Sequence, residues 1–366
     1  MGAYFTSPSA VNDAVMTMYG YMSTQRCLGA SGSKTTIIRS DEASSNSDYG
    51  KPGMFGADLN ASYYTIEQPY TLMYTTASQA SYIIETAPSV DFSGNEELRN
   101  AYMGEAYFWR AFAHYYLLIN FRNISPIRQM PRNGDDYVRP LEKPAAVWNF
   151  IQEDLAHAKE LLPVKGYWDS KNAGRVTKAS AAALLGKAYL YRSGIEQYYG
   201  EDKTTFYSEA AKEFGDVIDG KYGTYDLTKN YADNFDVAHE NNEESILEFQ
   251  FLGDVDNAGF NPGLATSGLA FDSRGLMLPG AGVGYEGVVH NWLYNAFVNS
   301  VDKDGYTDIR MFSTMIFNDL DASIHLRNDA GGNPVRLEGP GGYKWEELYP
   351  AKNGKEGFAT VSNPLA

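Results

Sequence analysis

Through the first 220 residues apolar positions recur at steps of three and four, the spacing that lines one face of an α-helix. The longest such run covers Glu96–Phe121, with Leu98, Ala101, Tyr102, Phe108, Trp109, Phe112, Tyr115, Tyr116 and Ile119 on the stripe. Met103, Ala106, Tyr107, Ala113 and Leu117 occupy the other side, so this helix is apolar nearly all round and must lie between neighbours. Glu105, Arg110 and His114 interrupt it at regular intervals, which excludes a bilayer and predicts polar pairs inside a helical array. Lys143-Pro144-Ala145 reads as the next helix start, because a proline at the first position lacks only a donor that would be orphaned anyway. Val147, Trp148, Ile151, Leu155, Ala158, Leu161 and Leu162 mark its buried face as far as Pro163. Thr177 caps a third helix, whose Ala179, Ala181, Ala182 and Ala183 permit close backbone approach. Phe206, Ala210, Phe214, Val217 and Ile218 mark a fourth, ended by Gly220.

The last two helices carry a tetratricopeptide pattern, in which small residues on one helix receive large ones from its partner. Leu185-Gly186-x-x-Tyr189 supplies the first half and Ala210-x-x-x-Phe214 the second, and Met103-Gly104-x-x-Tyr107 repeats the first half upstream. The glycine and alanine should stand about 12 positions apart. Here Gly186 and Ala210 are 24 apart, so the loop at residues 193–205 reads as an insertion. Beyond Gly220 the texture changes. Residues 245–251 alternate on Leu247, Phe249 and Phe251, which predicts a strand with one buried face. Residues 254–287 and the tail beyond Asn328 are rich in Gly and Pro, with a helical stretch between them starting at His290 and running to Phe297. The pattern is that of a mainly α-helical body of tetratricopeptide type, carrying long loops and a few short strands, and long loops are where binding resides.

Composition narrows the function classes. Thirty Lys and Arg against 46 Asp and Glu give a formal charge of −16, and no basic cluster interrupts it, so nucleic acid is excluded as a partner. The 366 residues are 43% hydrophobic, which excludes global disorder and allows two ordinary domains or one large one. One cysteine, Cys27, forms no internal disulfide; lacking an apolar run before it, Cys27 reads as a packed small hydrophobe rather than a lipid-attachment site. The opening Met1-Gly2-Ala3-Tyr4 does not read as a leader, and no run of about 18 uncharged apolar residues marks a membrane span.

The motifs that would carry chemistry are weak. Gly282-x-Gly284-x-x-Gly287 spells a dinucleotide fingerprint but lacks the strand in front, and reads as a glycine loop entering the Trp292 helix. Asp302-x-Asp304-Gly305 resembles part of a calcium loop. In register the closing glutamate falls on Met311, so a turn before Asp308-Ile309-Arg310 is the better reading. Neither Gly-x-Ser-x-Gly nor His-Glu-x-x-His occurs, and nothing points to nucleophilic or metal-assisted catalysis or to a cofactor. A glycosidase carboxylate pair leaves no fixed spacing; the adjacent acids Asp135-Asp136, Glu243-Glu244 and Glu346-Glu347 read as solvated surface. The 18 Phe, 5 Trp and 28 Tyr are more informative. Tyr49, Phe55, Tyr63, Tyr64, Tyr167-Trp168, Phe271, Tyr285 and Tyr343 to Trp345 stand in loops beside Asn, Asp and Arg, a setting that suits sugars. Their C–H faces stack on rings while their hydroxyls need polar partners.

Four segments give the chain its resemblance to a known family. They are Ala3-Tyr4-Phe5-Thr6 with Ala14-Val15 and Tyr19; Tyr74 and Ala80 with Ile83-Ile84; Gly104-Glu105-Ala106-Tyr107-Phe108-Trp109-Arg110-Ala111-Phe112, leading through Tyr115-Tyr116 to Asn120-Phe121; and Asp154-Leu155 to Leu162-Pro163 with Gly174-Arg175-Val176-Thr177 and Leu184-Leu185-Gly186. Over roughly residues 3 to 310 these resemble the SusD/RagB-like glycan-binding lipoproteins of the bacterial outer membrane.

The resemblance implies a non-catalytic receptor on the outer membrane's exterior face, held by a lipid anchor absent from this chain, that hands oligosaccharide to a SusC-like TonB-dependent porin. It implies a single SusD-like domain over residues 1–366, with a helical body over 1–220 and a loop-rich glycan-binding part over 221–366. The family's further C-terminal block is missing at Ala366, so the chain reads as C-terminally truncated. Glycan-contact residues do not transfer by motif; chemistry selects Tyr49, Asp58, Asn60 and Tyr63 on one side and Phe271, Arg274, Tyr285 and Trp292 on the other. Glu105 and Arg110 read as structural, with Arg175 as the partner that buried Glu105 needs. Two other classes stay open: an all-helical glycoside hydrolase or lyase using a carboxylate pair, and a tetratricopeptide scaffold for protein partners.

Overall fold

The computed structural model describes residues 5–24, 27–29, 39–44, 61–134, 138–200, 204–235, 237–250 and 288–314. The chain divides into two units. The first comprises Met1–Cys27, Glu67–Asp226 and Glu243–Thr266, the second Leu28–Ile66, Leu227–Asn242 and Ser267–Ala366. Helices dominate, and the described strands are one pair of two residues each.

Helix α1 (Pro8–Met22) starts where Ser7 accepts the Ala10 N–H and Pro8 takes the first position. It buries Val11, Ala14, Val15, Met18, Tyr19 and Met22. Helix α2 (Tyr64–Thr86) is followed by a 3-10 turn and then by α3 (Glu96–Phe121), capped by the Asn95 side chain on the Leu98 N–H. Residues on every side of α3 are buried, as its pattern requires, since α1, α4 (Pro144–Leu161) and α5 (Lys178–Tyr199) all pack on it. Helix α6 (Tyr207–Ile218) closes against α5. Cys27 is fully buried, and loss of solvent pushes its thiol up to about 12, in keeping with a packing role.

The two helix pairs α3/α4 and α5/α6 share one packing device. A Cβ placed on Gly104 would lie 2.8 Å from the Leu162 side chain, and one on Gly186 would lie 2.8 Å from the Phe214 ring. Three residues on, Tyr107 meets the His157 ring at 5.1 Å, while Tyr189 stacks on Phe206 at 5.5 Å. A further three on, an arginine ties each first helix to its neighbours. Arg110 grips Asp154 through Nε and Nη2, both at 2.7 Å, and Arg192 donates to Asn149 and Gln152 at 2.8 Å. Each pair therefore interlocks through a missing side chain, while Arg110 pins α3 to α4 and Arg192 ties α5 back to α4.

The strand expected at residues 245–251 does not form over the described residues up to Gln250. Among the described residues no neighbouring strand lies beside this segment; it runs as a strap across the helices. Ile246 packs against Ala179, Ala182, Val217 and Tyr222, and its carbonyl accepts the Ser180 hydroxyl at 3.0 Å. Phe249 meets the Trp109 and Tyr19 rings at 5.8 and 6.4 Å. A Cβ on Gly174 would approach the Glu248 carbonyl oxygen to 2.2 Å, and Gly174 sits at φ +78°, so only glycine serves where the strap crosses.

Beneath the strap lies the polar centre of the first unit. Glu105 is fully buried and bound by the Arg175 guanidinium through two N–H groups, while the Tyr19 hydroxyl donates to it at 2.7 Å. Burial raises the Glu105 carboxyl, and the guanidinium and phenol pull it back. Arg175 also donates to Asn12 at 2.8 Å and Asn172 at 2.9 Å, and its plane lies 4.2 Å from the Trp168 ring centre. The Val176 N–H donates to the Tyr19 oxygen at 2.9 Å. The partner expected for Glu105 is the one it has. One turn beyond Arg110 on α3, His114 donates from Nδ1 to the Arg110 carbonyl (2.7 Å) and accepts the Ile127 N–H at Nε2 (2.9 Å), fixing the chain after α3.

Replacing Glu105 by Ala leaves the Arg175 charge buried and unpaired, so we expect a loss of about 3–5 kcal/mol. A lower urea midpoint at unchanged slope reads that loss; an unchanged midpoint contradicts the role. His114 gives a pH dependence. Its burial lowers the imidazole from 6.5 to about 3, so the unfolded chain takes up this proton first. The His114 contribution is complete above pH 6.5 and is lost as pH falls toward 3, at about 1.4 kcal/mol per unit. His114→Gln should flatten that slope in denaturation curves recorded from pH 7 to pH 4.

Candidate functional site

The second unit places one expected contact residue on a built corner. Strand β1 (Ala43–Ser44) pairs antiparallel with β2 (Val288–Val289), Ala43 opposite Val289. The ladder continues one step as the His290 N–H donates to the Glu42 carbonyl at 2.9 Å. Helix α7 (Asn291–Asn299) follows at once, with His290 as its cap. Its first turn aims two side chains at a single acceptor: His290 Nδ1 lies 2.8 Å from the Asp41 carbonyl oxygen, and the Trp292 indole N–H donates to the same oxygen. Trp292 remains 46% exposed. Its polar atom is thus satisfied, and the rest of the half-exposed side chain is apolar ring. Beyond α7, the Asp302 carboxylate accepts the Asp304 and Tyr306 N–H groups (2.8 and 3.1 Å) and Gly305 takes φ +85°, forming the turn expected there. That turn leads to α8 (Arg310–Thr314), where Arg310 pairs with Asp308.

Tyr63 is half-buried in the turn entering α2, and its carbonyl accepts the Ile66 N–H at 2.8 Å. Tyr49, Asp58, Asn60, Phe271, Arg274 and Tyr285 lie outside the described residues, as does the glycine loop at 282–287. The structure therefore brings Trp292 together with Asp41 and His290, two partners that residue type did not single out. Asp41 contributes through its backbone, for which the sequence carries no signal. His290 stood at the predicted helix start and could have been noticed as its cap.

Rings in the first unit separate into spent and free. Tyr167 and Trp168 pack edge to face at 4.9 Å; the Trp168 indole donates to the Val176 carbonyl and its face is taken by Arg175, so this pair serves its own loop. Tyr198 and Tyr199, at the end of α5, are 84% and 56% exposed, and sequence reasoning passed over them. Among the described residues the carboxyls that burial raises most evidently, Glu105 and Asp154, are locked in ion pairs with Arg175 and Arg110. Neither opens on a surface a glycosidic bond could reach. No group of three His, Cys, Asp or Glu among the described residues is arranged to hold a metal ion, and no described helix is long and apolar enough to cross a membrane.

With fold and corner in place, comparison with known proteins is direct. A family model described as SusD-like, "Starch-binding associating with outer membrane", matches residues 5–190, and the chain belongs to this family. A SusD-like protein of Bacteroides ovatus is 29% identical over 180 residues, covering 49% of this chain and 32% of the relative. SusD-like protein P2 of Formosa agariphila is 25% identical over 265 residues, covering 70% of this chain and 49% of that one. The chain thus spans half or less of the length of these relatives. Among solved structures, a SusD superfamily protein from Bacteroides vulgatus superposes with a TM-score of 0.68 at 21% identity, covering 87% of this chain and 63% of that one. A laminarin-binding SusD-like protein superposes with a TM-score of 0.64 at 22% identity, covering 80% and 64%. These likenesses establish the mainly helical SusD-like fold.

The corner predicts a fluorescence signature. Trp109 and Trp148 are wholly buried while Trp292 is not, so Trp292→Phe should remove a red-shifted, acrylamide-quenchable part of the emission. Unchanged quenching would contradict the exposure of this ring.

Proposed function

We propose that this chain is a non-catalytic glycan-binding protein of the outer-membrane exterior, and that it passes oligosaccharide to a TonB-dependent porin. The observation that carries the reading is the Trp292 corner. An indole whose N–H is committed to the Asp41 carbonyl is a held, half-exposed ring without an unsatisfied donor, the kind of group a pyranose C–H face stacks on. Membership of a family described as starch-binding supports it, as does the structural likeness to a laminarin-binding protein. The charge of −16 adds a selectivity argument, since sulfated or uronic polymers meet repulsion that neutral ones do not. In this reading Tyr63 and the loop residues Tyr49, Asp58, Asn60, Phe271, Arg274 and Tyr285 supply further stacking and hydroxyl contacts. The porin partner and the lipid anchor follow from the family resemblance.

Affinity electrophoresis against soluble starch, laminarin and a panel of other soluble polysaccharides tests the reading. We expect retardation by at least one neutral polymer, weakened about tenfold or more in Trp292→Ala, equivalent to about 1.4 kcal/mol. Folded protein retarded by none would overturn it. Release of reducing ends from a retarding polymer would favour the hydrolase instead.

A further inference from the structure

The α5/α6 pair carries surplus chain that the Trp292 corner does not use. The insertion expected as a loop from residue 193 is helical as far as Tyr199, because α5 simply continues: it has 22 residues against 12 in α6. The final turn of α5 is unusually well held for a helix end. Glu196, fully buried, accepts two N–H groups from Arg122 at 2.8 and 3.0 Å and the Trp148 indole N–H at 2.9 Å. Arg122 sits at φ +62°, a conformation that a residue with a Cβ keeps only when its surroundings impose it. From there its guanidinium lies 3.9 Å from the Tyr199 ring centre. Tyr198 stands against Tyr199 at 5.2 Å with the ring planes at 89°, and Gly200 ends the helix in the left-handed conformation.

The result is an open right-angled corner of two phenol rings, one clamped by a cation and the other 84% exposed. Such exposure gains nothing from core packing. Around the corner Gly194 and Gln197 are exposed, half-buried Ile195 lies one turn back, and exposed Leu190 and Tyr191 lie two turns back. These few residues fall well short of the roughly 20–30 residues a side of a stable protein interface. They are enough for a single sugar ring, whose C–H face covers one aromatic ring while its edge meets the second and its hydroxyls reach the phenol oxygens.

We propose that Tyr198 and Tyr199 form a second carbohydrate contact, on the helical body, that takes one pyranose unit of the glycan. The proposal rests on the glycan-binding reading, and two contacts on one chain would hold a polymer more tightly than either alone. The test compares the full chain with Tyr198→Ala, Tyr198→Ala/Tyr199→Ala and Trp292→Ala in gels containing soluble starch or laminarin, with thermal melts as a folding control. We expect the double variant to bind the polymer about tenfold more weakly than the unmodified chain, with part of that loss already present in Tyr198→Ala. Should the double variant melt early, Tyr198→Ala decides alone. Full retardation of the variants beside a retarded unmodified chain would overturn this proposal and leave the Trp292 reading standing. If those variants also lose co-purification with an outer-membrane protein, the corner docks protein instead. No retardation of the unmodified chain in either gel overturns both readings.

Discussion

A carboxylate taken wholly out of water must be answered by charge and by hydrogen bonds, or it does not stay ionised. Glu105 imposes that condition on the first unit. Its answer comes from Arg175, which lies 70 positions away, and from Tyr19, 86 positions away. Meeting it draws α1, α3 and the segment before α5 to one point. Once Arg175 is there, its remaining donors fix Asn12 and Asn172, its face fixes Trp168, and the neighbouring Val176 N–H fixes the Tyr19 oxygen. The interlocking of the helix pairs is then a matter of shape, with Gly104 under Leu162 and Gly186 under Phe214. Electrostatic necessity sets the register, and packing fills it.

This division explains which parts of the molecule can be read from sequence. Helices α3 and α4 begin and end where their apolar steps and Pro144 place them, because burial of a helical stripe is a local rule. Arg175 as the partner of Glu105 was foreseeable because a buried acid leaves few choices. The strap was not. Its alternation is genuine, but alternation does not say whether a second strand is present to pair with, and the residues that pack, Ile246 and Phe249, are three apart rather than two. At the Trp292 corner the ring was legible from its setting, whereas its anchor is a backbone carbonyl and so has no signature in residue identity. The Tyr198–Tyr199 corner went unread for a related reason. Ring residues near a helix end look alike whether they pack or project, and only the Arg122–Glu196 clamp distinguishes them.

The two units present their surfaces in different ways. In the first unit, rings are mostly consumed in holding helices together, and the projecting pair is oriented by a half-buried arginine paired with buried Glu196. In the second, helix α7 has no buried residue among those described, and Trp292 is held by two short strands and one shared acceptor. A corner made that way can tolerate exchange of its surrounding loops while keeping the ring in place.

The crossing at Gly174 bears on how the molecule is made. Phe249 and the Glu248 carbonyl close over Trp109 and Gly174, yet they follow them in the chain by most of a domain's length. During synthesis the helix pairs emerge and can dock while that side of Trp109 and the groove at Gly174 are still bare. Completion of the first core must wait for the strap, which arrives only after the polypeptide has passed through the second unit's segment at Leu227–Asn242. The body therefore has a late, non-local closing step, and a nascent chain halted before it would expose tryptophan and glycine to chaperones or to its neighbours.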